Sequence, residues 1–326
     1  MNRSAAPLRI GTRSSTLALW QTERIRDLLG NAGYPTERIE IKTTGDLAPE
    51  VPLARLGSRA IFTKQIDDAL IEGRIDLAVH SLKDLPTELP AEIDIGAIGP
   101  REDPRDALIG RGAVQWEDLP DTAVIATSSL RRRAQLLYQK PSLSIVELRG
   151  NVDTRLAKLD AHPEWDAIIL ASAGLVRLGL GHRIGERLPP TLLLPAPGQG
   201  ALAVTVRRDD ALTRAAVRSA VHQAAVALTV AAERAFLHRL EGGCQVPVAA
   251  YAEIDTRPGV PVIRLHGRVI SLHGESMIEG RVAGAASDEA GAAVLGADLA
   301  ERLLAQGAAA ILAETRDSTA PVVTEP

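Results

Sequence analysis

Apolar positions along this chain recur with two alternating periods. Short runs with strand character are each followed by segments whose apolar residues fall three and four apart, the spacing of one helix face. Leu8-Arg9-Ile10-Gly11-Thr12-Arg13 predicts a strand. Ser14 and Ser15 then offer N-cap oxygens, and Leu17, Trp20, Ile25 and Leu28 predict a helix that Gly30 closes. Phe62, Ile66 and Leu70 share a second helical face ending at Gly73, ahead of an apolar strand over 75–80. That strand runs into Ser81-Leu82-Lys83-Asp84-Leu85-Pro86, where the proline stops it. The charged, proline-marked segment from Gly99 to Asp106 predicts a boundary. Beyond it the alternation resumes, with strands over 123–127, 144–148 and 167–170 and helices starting near Leu130, Val152 and Ala171.

A second connector, 188–200, leads to a strand over 201–206, and residues 211–240 read as one helical stretch. Three apolar runs near 246–254, 261–271 and 276–284 are separated by turn chemistry at Arg257-Pro258-Gly259 and His273-Gly274. They predict an antiparallel meander, with a helix near 287–306 packed on it and a frayed tail after Glu314. The expected fold class is α/β: two α/β units and a smaller C-terminal α+β unit.

Composition narrows the chemistry. With 326 residues, 45% of them hydrophobic, the chain can bury more than one core. Its single cysteine, Cys244, excludes an internal disulfide and fits a reducing compartment. No apolar run precedes the first strand and no stretch approaches the ~20 apolar residues of a membrane span, so a cytoplasmic protein without membrane attachment is expected. A net charge of −4 argues against a general nucleic-acid binder, and 2% aromatic residues against a base-stacking platform. Only five of the 37 basic residues are lysine. Arginine grips carboxylates and phosphates with two parallel hydrogen bonds. An arginine excess as such reads as composition bias, so the positions of the arginines carry the information.

Four strand-to-helix turns share serine or glycine with arginine. They are Thr12-Arg13-Ser14-Ser15, Thr127-Ser128-Ser129-Leu130-Arg131-Arg132, Leu148-Arg149-Gly150-Asn151 with Arg155, and Ala171-Ser172-Ala173-Gly174 with Arg177. In an open α/β sheet such turns lie where ligands bind, and helix N-termini there attract anions. One such turn is an ordinary cap; four imply a cleft for several anionic groups. No phosphate loop or dinucleotide fingerprint is present, so carboxylates on an organic ligand are expected. Lys83-Asp84 ends a strand in the same way. A carboxylate ringed by arginines stays ionised and suits a cation that appears during reaction. The seven histidines show no metal-ligand spacing, so no metal site is expected, and His80 reads as a hydrogen-bonded core residue. Arg131-Arg132-Arg133 is too short, and too poor in aromatic neighbours, for a nucleic-acid patch. Cys244 follows two glycines between a helical and a strand pattern. A lone cysteine is by default a small buried apolar residue, but a thiolate on such a loop is also a strong nucleophile and a lasting anchor.

Seven ordered motifs, carried between Leu8 and Pro247, resemble the porphobilinogen deaminase (hydroxymethylbilane synthase) family. They are the segments starting at Leu8, His80, Arg101, Thr127, Leu148 and Pro195, and Glu241-Gly242-Gly243-Cys244. The resemblance implies a transferase of tetrapyrrole (haem) biosynthesis that joins four porphobilinogen molecules into hydroxymethylbilane with loss of ammonia. It implies a dipyrromethane cofactor held by a thioether to Cys244, with Lys83, Ser129, Arg131, Arg132 and Arg155 around it, Asp84 as the catalytic carboxylate, and Arg13, Ser15, Arg149 and Arg177 on the substrate. It further implies two domains like periplasmic binding proteins, with domain 1 at 1–100 and 199–217, domain 2 at 104–196 and domain 3 at 220–326. Leu82 stands where methionine is frequent, and Arg59 where lysine is frequent, in a segment with Phe62 that reads as a possible lid. A monomer is expected. The alternative reading is a non-catalytic two-domain module that captures a dicarboxylate, which leaves Cys244 and the third domain without a role.

Overall fold

Three sheets organise the computed structural model, which describes residues 6–43, 63–240, 246–255 and 259–319. The first sheet has the order β2-β1-β3-β10-β4, from β1 (Leu8–Thr12), β2 (Thr36–Glu40), β3 (Leu77–Ser81), β4 (Ile93–Arg101) and β10 (Ala201–Arg207). Strands β1, β2 and β3 are parallel, and β10 runs antiparallel between β3 and β4. The second sheet repeats this plan as β7-β6-β8-β5-β9, with β5 (Asp106–Ile109), β6 (Val124–Ala126), β7 (Ser144–Val146), β8 (Ala167–Ala171) and β9 (Glu186–Arg187). Here β6, β7 and β8 are parallel and β5 is the antiparallel member. The chain crosses between the two sheets twice, through 102–105 and 188–200. In each sheet the antiparallel strand is the one that has just crossed.

Local sequence chemistry explains the helix starts. Ser15 caps α1 (Thr16–Asn31) by accepting from the Ala18 N–H at 3.3 Å. Helix α2 spans Lys64–Ile71. Ser129 caps α3 (Leu130–Gln139), and Asn151 caps α4 (Val152–Ala161) through the Thr154 N–H at 2.9 Å. The short α5 (Ser172–Arg177) follows β8 directly. Apolar strand faces and helix stripes close the cores of both layered units, with Ile10, Leu77 and Val204 in the first and Leu108, Ile125 and Ile169 in the second.

The predicted single helix over 211–240 is instead two, α6 (Ala211–Val221) and α7 (Ala224–Arg239), bent by 110° at His222-Gln223. No glycine or proline marks the break. The β4–β10 ladder shifts register near Ala97 and Ile98. The Gln223 N–H donates to the Ile98 carbonyl at 2.8 Å, and His222 Nδ1 accepts from the Ile98 N–H at 3.4 Å. The two residues satisfy backbone groups of the irregular strand, and the helix gives way there.

The third sheet is the predicted meander, β11 (Val248–Asp255), β12 (Val262–Ile270) and β13 (Met277–Ala285), all antiparallel. Helix α7 and α8 (Glu289–Leu303) cover its inner face, with Phe236 fully buried against Gly267. At Gly296 a Cβ would collide with the Ala232 carbonyl, so only glycine lets α8 lie this close to α7. The tail is not frayed at Glu314: after a wide turn at 304–308 the helix α9 (Ala309–Thr319) continues, with Ile311 and Leu312 in the core. Among the described residues, no single helix is long and apolar enough to cross a membrane.

Candidate active site

The carboxyl ends of β1 and β3 share one edge of the first sheet, and those of β6, β7 and β8 one edge of the second. The two edges face each other. The Arg177 guanidinium lies 5.7 Å over the Trp20 ring, and a Cβ on Gly174 would touch Leu17 at 3.7 Å. Ligands bind at such strand ends in open α/β sheets. Lys83 and Asp84 sit on a single tight turn, Leu82–Asp84, that follows β3.

Asp106 is the centre of the site. It opens β5 and is fully buried. Its carboxylate accepts from Arg131 Nη1 at 2.8 Å, from Arg132 Nη2 and Nε at 2.7 and 3.0 Å, and from Gln199 Nε2 at 3.0 Å. Burial alone would raise its pKa; the Arg131 and Arg132 charges more than reverse that and hold it well below the usual carboxylate range. Arg131 also donates to the Leu194 carbonyl at 2.8 Å, and Arg132 to the Ile169 carbonyl at 2.9 Å. The expected pair of ligand arginines is therefore fixed in the floor of the cleft. Gln199 carries the chain of contacts upward, since Lys83 Nζ donates to its Oε1 at 3.2 Å.

Burial pushes the Lys83 ammonium down to about 8; Asp84 and Asp106 pull it back up, and Arg132 and Arg131 push it further down. Arg155, whose Nε donates to the Gly150 carbonyl at 2.7 Å, is pushed down to about 10 by burial and by Arg132 and Arg149, with Asp84 opposing. Burial likewise lowers Arg177 to about 10 against the pull of Glu102, while its Nη2 donates to the Gly200 carbonyl. Each of these cations is disfavoured by its surroundings, and a bound anion relieves each of them. Asp84 stands exposed among them. His80 behaves as expected of a core residue: it is bonded to Thr205 Oγ1 at 3.0 Å, and burial, helped by the charge of Arg13, pushes it down to about 4.

Lys83, Arg131 and Arg132 share the contacts of Gln199 and Asp106, Asp84 adjoins Lys83, and Arg155 is close enough to feel the charges of Arg132, Asp84 and Arg149. Arg149 also lies 3.8 Å from Glu147. Ser15 and Ser129 are half-buried caps at the facing helix starts, and Arg13 lies half-buried at the first of them. Arg177 is bonded to the end of the second crossover, at the Gly200 carbonyl. Cys244, Arg59 and Phe62 lie outside the described residues. Asp106 and Gln199, the two residues that assemble the group, received no role from the sequence reading. A carboxylate opening the apolar run Ala107-Leu108-Ile109, in a chain whose strand ends are rich in arginine, is the signal that could have marked Asp106. A cavity of about 720 Å³ beside the first crossover, lined by Arg101, Asp103, Tyr251 and Arg264, includes none of this group.

The donor set fits an acidic organic group such as a dipyrromethane. Guanidinium forks, an ammonium and capped helix starts are arranged for several carboxylates, with one exposed acid among them.

Comparisons with known proteins identify relatives of the chain. Residues 8–215 match the family described as porphobilinogen deaminase, dipyromethane cofactor binding domain, and residues 227–305 match porphobilinogen deaminase, C-terminal domain. The chain is 46% identical over 309 residues to a porphobilinogen deaminase of Geotalea daltonii, covering 94% of each chain. It is 46% identical to that of Syntrophotalea carbinolica, covering 98% of this chain and 99% of the relative, and 45% identical to that of Moorella thermoacetica, covering 95% and 96%. Among solved structures, a periplasmic substrate-binding protein of Coxiella burnetii is similar with a TM-score of 0.41 and 18% identity, over 67% of this chain and 93% of that one. A nutrient binding protein of Burkholderia cenocepacia bound to methionine is similar with a TM-score of 0.40 and 15% identity, over 64% and 89%.

Proposed function

The chain belongs to the porphobilinogen deaminase family, and from that premise we propose that it joins four porphobilinogen molecules head to tail into hydroxymethylbilane, releasing one ammonia per unit. It is a transferase of tetrapyrrole biosynthesis that works as a cytoplasmic monomer, without nucleic acid or membrane. Its chain is divided into domain 1 at 1–100 and 199–217, domain 2 at 104–196 and domain 3 at 220–326. The observation that supports the mechanism is the setting of Asp84, an exposed carboxylate beside Lys83 and Arg155 and above the arginine pair held by Asp106.

Cys244 is the anchor, through a thioether, and Lys83, Ser129, Arg131, Arg132 and Arg155 hold the acidic arms of the cofactor. The dipyrromethane, when bound, supplies the free pyrrole carbon to which substrate is joined. Arg13, Ser15, Arg149 and Arg177 take the acetate and propionate arms of the incoming porphobilinogen and orient its aminomethyl group. Asp84 faces that group. As the C–N bond breaks, the bonding electrons leave with ammonia and the substrate pyrrole becomes cationic; the carboxylate stabilises that charge in a site whose other ionised groups are positive. When the new C–C bond forms, a pyrrole carbon must lose a proton, and Asp84 is placed to accept it. Arg59 and Phe62, outside the described residues, are assigned to a lid in this proposal.

The test is turnover with porphobilinogen. The purified protein releases four ammonia per hydroxymethylbilane, and Asp84→Ala slows this by about 10²–10⁴-fold. Binding of porphobilinogen with no ammonia release would instead support a carboxylate-binding module. Near-normal turnover in Asp84→Ala would remove the aspartate from the mechanism.

A further inference from the structure

A chain of buried hydrogen bonds runs from the third sheet to the arginine pair. It starts at Arg268 on β12, a guanidinium only 3% exposed although β12 belongs to the C-terminal unit. Arg268 Nε and Nη2 donate to Glu279 at 2.9 and 2.7 Å. Its Nη1 donates to Gln135 Oε1 on α3 at 2.8 Å, and its remaining contacts are the Thr191 and Leu192 carbonyls of the second crossover at 3.3 and 3.4 Å.

Gln135 is 1% exposed and uses both ends of its amide. Its Oε1 accepts from the Leu194 N–H at 2.8 Å, and its Nε2 donates to the Leu194 carbonyl at 3.0 Å. That carbonyl is also the acceptor of Arg131 Nη1 at 2.8 Å. Arg131 Nη1 therefore lies between two acceptors, Asp106 and Leu194. Asp106 neutralises the guanidinium. Leu194 fixes where along the crossover it lies. Residues 188–200 contain no strand or helix; the Ala250 N–H holds the neighbouring Pro195 carbonyl at 3.1 Å, and the Leu194 carbonyl accepts from the side chains of Arg131 and Gln135. Gln135 is the one that holds both the N–H and the carbonyl of Leu194. A buried amide leaves a costly unpaired group if its oxygen and nitrogen are exchanged, and Arg268, which only donates, favours the orientation with the oxygen toward itself.

We propose that Gln135 and Arg268 are positioning residues for the cleft: acting through the Leu194 carbonyl, they hold the Arg131 guanidinium in register for an acidic arm of the bound oligopyrrole. Neither touches the ligand. The unit whose sequence includes the anchor Cys244 thereby also sets the cation that grips what is anchored. This rests on the reading of Arg131 as a ligand-binding residue, and the experiment separates the two.

Full-length R131K, R268M, R268K and the double variant R131K/R268M are compared for three properties. These are the fraction of freshly purified protein that carries the cofactor adduct by intact mass, the KM and kcat for porphobilinogen, and the thermal unfolding midpoint. R268M is expected to raise KM about fivefold with kcat within about twofold, and to lower adduct loading in parallel with R131K. R268K, which keeps a donor for Gln135, recovers most of the loss. In the R131K background the added effect of R268M shrinks to within about twofold, because the group it positions has already changed. If R268M does not fold, Q135M carries the same cycle. A lowered unfolding midpoint with wild-type KM and loading, or an equal effect in both backgrounds, overturns the proposal and leaves Arg268 as a brace. Wild-type KM and loading in R131K itself overturns the assignment of Arg131, and the proposal with it.

Discussion

Asp106 shows how one side chain sets a cleft. Two arginines, and beyond them Lys83, depend on a carboxylate that is fully buried. Removing one partner of a buried ionic cluster leaves the others uncompensated, which costs far more than the pair contributes by existing. Asp106→Asn is therefore expected to destabilise the protein by about 3–5 kcal/mol in denaturant unfolding. A variant with wild-type stability would mean that the guanidiniums find other acceptors. Because the folded pKa of Asp106 is depressed, its contribution is complete above the ordinary carboxylate value of about 4 and is lost as pH falls through that value toward the folded one. Asp106→Asn also flattens that acid limb.

Lys83 gives the opposite signature. Its ammonium, lowered to about 8, is charged below that pH and neutral above it. Protein not yet carrying the cofactor loses a carboxylate partner as pH rises, so cofactor loading is expected to fall above pH about 8. Lys83→Arg, charged throughout, moves the fall to higher pH; an unchanged descent would assign it to another group. The sequence marked Lys83 and the arginines because strand-end turns are a local signal. Their partner was harder to see, since Asp106 precedes Arg131 by 25 residues and reads as part of a charged connector unless its place at the head of an apolar run is noticed.

At the scale of elements, local chemistry decided most of the outcome. Ser15, Ser129 and Asn151 cap the helices they precede, and the three predicted strands pair as an antiparallel meander with His273-Gly274 between β12 and β13. The break between α6 and α7 was not legible, because its cause is a register shift in β4, more than a hundred residues earlier. The β12–β13 turn shows a further constraint. Gly274 has φ +75°, and a Cβ there would meet the Leu137–Tyr138 peptide at the end of α3. The left-handed backbone alone makes Gly274→Ala destabilising by about 1–2 kcal/mol, and the contact with α3 adds to it. Unfolding by denaturant measures this; wild-type stability would show that the third unit does not rest on α3.

At the scale of the molecule, the third unit fastens both crossovers. Arg101, at the end of β4, pairs with buried Glu233 of α7 at 2.8 Å, and the same carboxylate accepts from Gly198 in the second crossover and from Ala252 on β11. Arg268 and Gln135 hold that crossover from its other end. The alternation of strands and helices made the α/β class and the smaller last unit legible, and the ordered motifs led to the family. Periodicity could not reveal that the last unit is joined through buried ion pairs to the segments that connect the first two. Contacts of that kind are written in residues far apart along the chain.

The central claim is that a sulfur in the third unit tethers an oligopyrrole over this basic floor, and intact mass of the purified protein tests it most directly. The account predicts a chain heavier than its 34.6 kDa sequence by one dipyrromethane, an increment absent from Cys244→Ser. Active protein at the bare chain mass, or a Cys244→Ser variant that still carries the increment, would contradict it.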